Sequence, residues 1–108
     1  MAATDPSDMF NHQRSREIED FAIALAREFA SRFPPNAGQD SPQATARLAR
    51  TIDEICDRAA SFQRRERLGM FRRAKFGTAF KLELKHAGYP PEFVDSLTRR
   101  LLLVMAKP

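Results

Sequence analysis

Leu48, Ile52, Ile55, Ala59 and Phe62 recur at spacings of four, three, four and three residues, the rhythm that holds one apolar seam on a single side of an α-helix. A strand cannot carry it, because strand side chains alternate with period two. Cys56 lies beside the seam, and Arg50, Asp53, Asp57 and Arg64 take the opposite face. Ser41-Pro42, just ahead, reads as an N-cap followed by the first helical residue, where proline loses only an amide that would have no partner. The seam thus predicts a helix over 42–66, with Glu54 and Arg58 placed for an i,i+4 pair on its polar side.

The same arithmetic finds three more helices. Ile18, Phe21, Ala22, Leu25, Phe29 and Phe33 project onto one arc of a helix expected over 15–33, with Ser15 at its N-cap and Pro34-Pro35 stopping it. The prolines open a loop over 34–40. No proline separates Phe62 from Ala87, and a single helix over 42–87 would be about 69 Å long at 1.5 Å per residue. A chain of 108 residues cannot cover such a rod, so a break is expected between 66 and 69, at Gly69. The helix that follows, 70–87, has Phe76, Phe80, Leu84 and Ala87 on one arc and Phe71, Thr78 and Leu82 on nearly the opposite one. Gly88 is suited to a left-handed C-cap, and Tyr89 with Pro90-Pro91 leads into a last helix over 91–106. Phe93, Val94, Leu97, Leu101, Val104 and Met105 fill one face of that helix, Asp95 and Arg99 are spaced to pair outside it, and Leu102 and Leu103 point elsewhere.

These elements predict an all-α, four-helix bundle-like domain over 14–108. Residues 1–13 lack periodicity and are mostly small or polar, so they are expected to form a disordered, flexible arm. The two apolar arcs of the third helix and the surplus of leucines near the C-terminus exceed what one copy is expected to cover. Phe71, Leu82, Leu101, Leu102 and Met105 are therefore the expected self-association residues of a homodimer.

Charge is unevenly spread along the chain. Residues 58–85 hold nine Lys and Arg against two Glu, whereas residues 1–57 hold six basic and ten acidic side chains. Such asymmetry suits either a polyanionic partner or two complementary surfaces that meet. Within the basic segment, Arg64, Arg65, Arg67, Arg72, Arg73 and Lys75 are the candidate nucleic-acid contacts. The interleaved phenylalanines coincide with the apolar arcs and are assigned to packing.

Catalytic chemistry finds little material. Cys56 is the only cysteine and His12 and His86 the only histidines, a set with no metal-ligand spacing. A Cys56–His86 pair would have to be made by the fold. Asp53, Glu54 and Asp57 lie among arginines and read as a solvated polar face, and Gly69 and Gly77 do not make a phosphate loop. Residues 82–101, LELKHAGYPPEFVDSLTRRL, resemble helix-turn-helix spacing, but Glu92 and Asp95 would open the recognition helix with charges that repel phosphate, so an ordinary helical hairpin is expected. Asp5 and Asp8 do not suit a secretory signal, and the longest apolar run, 101–106, is too short to span a bilayer. The expectation is a cytoplasmic, non-enzymatic helical regulator or adaptor, without cofactor, metal or membrane partner, that forms a homodimer and binds another macromolecule, a protein or nucleic acid. The alternative is a nucleic-acid-binding protein that uses residues 58–85.

Overall fold

The computed structural model describes residues 6–37 and 41–107, with side chains from Gln13 onward. Four helices, α1 (Pro6–Arg32), α2 (Pro42–Glu66), α3 (Met70–Ala87) and α4 (Pro91–Ala106), make up the fold, and no strand occurs among the described residues. Three of the four keep the limits their punctuation predicts. The Ser41 side chain accepts a hydrogen bond from the Ala44 amide at 3.0 Å, with Pro42 as the first helical residue. At the other end of the chain, Gly88 closes α3 in the left-handed region with φ 103°.

The first helix departs from expectation, because it starts at Pro6 and makes Ser15 an interior residue rather than an N-cap. Proline at the first position costs no hydrogen bond, and a polar stretch continuous with a nucleated helix has only to propagate it. Of the arm expected over 1–13, residues 1–5 and the side chains as far as His12 lie outside the described residues.

Neighbouring backbones approach closely in the pairs α1·α3, α3·α4, α4·α2 and α2·α1, so the helices form a ring in which α2 faces α3 and α1 faces α4 across the core. Large side chains cross those diagonals. At one end Phe62 of α2 stacks on Phe21, with centroids 4.1 Å apart, and meets Phe76 of α3 at 5.9 Å. At the other end Phe29 meets Tyr89 at 5.6 Å and Phe93 at 5.8 Å. Between them Leu25, Ile55, Phe80, Leu84, Val94 and Leu101 are sealed from solvent. Tyr89 therefore joins this aromatic cluster, and its hydroxyl donates to the Phe33 carbonyl at the end of α1.

The heptad seam of α2 is buried in its second half, at Ile55, Ala59 and Phe62. Leu48 and Ile52 are only partly covered, while Thr51 turns inward and donates its hydroxyl to the Arg47 carbonyl. Gly77 brings α3 and α4 together, since a Cβ there would stand 2.9 Å from a methyl of Leu102.

Candidate docking face and arginine corner

The α3 helix divides its surface sharply. Phe76, Phe80, Leu84 and Gly77 face the core, whereas Phe71, Ala74, Thr78 and Leu82 form a stripe along the outside, at i, i+3, i+7 and i+11. Phe71 is 87% exposed and Leu82 49%. Shallow grooves run on both sides of the stripe. The one against α1 is lined by Ile23, Phe71, Thr78, Ala79 and Leu82, and the one against α4 by Met70, Ala74, Leu102, Leu103 and Ala106.

Two of the five expected self-association residues are thus on the surface, two are buried, and Leu102 lies between, at the edge of the α4 groove. Leu101 and Met105 are each 1% exposed and belong to the core of their own chain, because α4 turns that face toward α2 and α3. Leu102 is half-buried against Gly77. In their place the fold exposes Met70 and Leu103, at 71% and 60%. Helical projection could have found Met70, which lies one residue outside the stripe at the start of α3.

Charged side chains around the stripe are largely matched within the chain. Lys75 pairs with Glu19 of α1 at 3.5 Å, Lys81 with Asp95 of α4 at 2.8 Å, and Glu83 with Arg27 of α1 at 3.5 Å. The Lys81 hydrogen bond holds the Asp95 carboxyl below its usual range, assisted by the positive charges of Lys85 and Arg99. On α2, Glu54 pairs with Arg32, Arg58 with Glu28 and Asp53 with Arg100. These interhelical bridges replace the expected Glu54–Arg58 pair, and Lys81 replaces Arg99 as the partner of Asp95. Much of the acidic first half and the basic second half therefore meet inside one molecule.

The exception is the α2–α3 corner, where residues 64–73 carry five arginines and one carboxylate, Glu66. Backbone geometry gathers them. Arg67 ends α2 in the left-handed region at φ 52°, its amide donating to the Gln63 carbonyl at 2.7 Å. Leu68, 3% exposed, anchors the turn in the core. Its carbonyl accepts from the Gln63 side chain at 2.9 Å and from the Arg73 guanidinium at 3.3 Å. Arg14 of α1 reaches the same corner and donates to the Glu66 carbonyl. Arg64 bonds the Ser61 hydroxyl at 3.1 Å, and Arg65 lies over the Phe62 ring at 5.5 Å and 3.5 Å from Glu66. Arg72 and Arg73 occupy the first turn of α3, which has no acidic side chain. Lys75, the sixth candidate contact, sits apart from the corner at the edge of the stripe, paired with Glu19.

Cys56 and His86 do not come together. Cys56 is buried on α2, where burial pushes its thiol up, Asp53 and Asp57 add to that, and Arg100 opposes it. His86 lies exposed beside the α1 groove, on the diagonally opposite helix. A buried thiol held protonated is a poor nucleophile. Among the described residues no three His, Cys, Asp or Glu side chains are grouped to hold a metal ion, and no helix is long and apolar enough to cross a membrane.

Comparison with protein-family models, with curated proteins and with solved structures returned no match.

Proposed function

We propose that this chain is a non-enzymatic helical adaptor or regulator that pairs with a second copy of itself through the outer face of α3 and, so paired, presents its remaining surface to another macromolecule. The observation that carries this reading is the exposure of Phe71 and Leu82 on one stripe of a helix whose opposite side is already saturated by the core. The stripe suits a two-fold contact, in which the same patch serves both partners. Large side chains stand at its ends and small ones, Ala74 and Thr78, between them, so Phe71 of one copy can lie against Leu82 of the other. Charge favours the same occupant along most of the stripe, since Lys75, Lys81 and Glu83 on its margins have opposite charges beside them in their own chain.

The reading includes a cytoplasmic location, with which a single free cysteine is compatible. Sedimentation at tens of micromolar tests the pairing. The native chain should sediment at twice 12.3 kDa, and Phe71→Ser with Leu82→Ser should give a monomer of unchanged helicity. A strictly monomeric native chain, or a dimer indifferent to both substitutions, would refute it.

A further inference from the structure

The arginine corner adjoins the Phe71 end of the stripe, where Arg73 lines the α4 groove, and calls for its own account. Elsewhere the fold sets Lys and Arg against carboxylates of neighbouring helices, as in Lys75–Glu19, Lys81–Asp95 and Arg100–Asp53. Between 64 and 73, Arg64, Arg67 and Arg73 have no carboxylate partner among the described residues and Arg65 has Glu66 of its own helix, and every cation there is arginine. A guanidinium offers five donors in a planar fork that matches phosphate oxygens, which an ammonium does not. The bonds that Arg64, Arg65 and Arg73 make to Ser61, Glu66 and the Leu68 carbonyl hold their side chains in place and leave donors over.

Arg67 supplies an independent observation. Both α2 and α3 close with a left-handed residue, and α3 uses glycine, the residue that adopts this conformation without a steric penalty. At the corresponding place in α2 the chain has an exposed arginine. Among the described residues no side-chain hydrogen bond or ion pair of Arg67 offsets that strain, which points to a contact made outside the fold.

We infer that the α2–α3 corner is a contact site for the sugar–phosphate backbone of nucleic acid, made by Arg64, Arg65, Arg67 and Arg73 with Arg72 beside them. It reads charge and spacing, not base sequence. The site stands whether or not α3 pairs with a second copy, since three of its arginines lie on or after the last turn of α2.

Fluorescence anisotropy with the full chain and a labelled short duplex tests it, with a single strand and polyglutamate as further arms. Affinity should be indifferent to sequence and fall steeply as salt rises, with a logarithmic slope near −0.9 for each phosphate contact on the duplex. Arg67→Gly should weaken binding severalfold and lower that slope by about one, while raising the melting temperature, because glycine relieves the left-handed strain. A merely structural Arg67 would give the thermal gain without the loss of binding. Arg47→Ala removes the same charge about 30 Å back along α2 and should leave affinity unchanged. Absence of binding at low salt, full binding by Arg67→Gly, or equally effective displacement of duplex and single strand by polyglutamate would overturn the inference, the last by assigning the corner to an acidic protein surface.

Discussion

Tyr89 shows how one side chain closes an end of the bundle. It is 7% exposed, packed on Phe29 and Phe93, and its hydroxyl donates to the Phe33 carbonyl just ahead of the proline pair that stops α1. Burial pushes its pKa up from 10.0 to about 12. Because the folded chain holds this proton more tightly than the unfolded chain, the associated stability is complete below pH 10 and is lost as pH rises from there through about 12. Tyr89→Phe should cost about 1 kcal/mol at neutral pH through the lost hydrogen bond. It should also flatten the alkaline loss, and both effects can be read from urea denaturation across pH. The sequence marked Tyr89 as an apolar residue before a helix. Its bond to Phe33, 56 positions away, depends on how the end of α1 meets the turn between α3 and α4 and has no local signature.

Among the elements, α3 separates packing from surface most clearly. Phe76 and Phe71 are one and a half turns apart, yet Phe76 is sealed and Phe71 is 87% exposed. Phe76→Ala should cost about 3–5 kcal/mol, whereas Phe71→Ala should change monomer stability by under about 0.5 kcal/mol, measured by denaturation at concentrations low enough to keep single chains. The start of α2, the end of α3 and the start of α4 were legible because they rest on local chemistry at Ser41-Pro42, Gly88 and Pro90-Pro91, whereas the turn after α2 is made by Arg67 in the left-handed region and not by Gly69, whose φ is −75°. The start of α1 was not legible, since its first turns carry no apolar stripe to betray them. The two opposed arcs of α3 were legible from spacing. The burial of Leu101 and Met105 was not, because periodicity ranks the faces of a single helix and says nothing of how many neighbours that helix will have. In the ring of four, α4 has two, α2 and α3, and they cover the face that looked like a surplus.

For the whole molecule, the charge asymmetry along the chain becomes a set of bridges across the helix ring, leaving positive charge concentrated at the α2–α3 corner and apolar surface along the outside of α3. The stripe on α3 was already visible in the spacing of Phe71, Thr78 and Leu82, whereas which cations would be left at the corner was not, since that depends on which of them find carboxylates in space. The central claim is that the outer face of α3 is covered by a second copy, and site-directed cross-linking tests it most directly. Thr78 is exposed in the middle of the stripe, so a two-fold pairing brings it near its own mate. In a Cys56→Ala background, Thr78→Cys should oxidise readily to a covalent dimer, while Ser96→Cys, exposed on α4 away from the stripe, should not. Equal and slight cross-linking at the two positions would contradict the account.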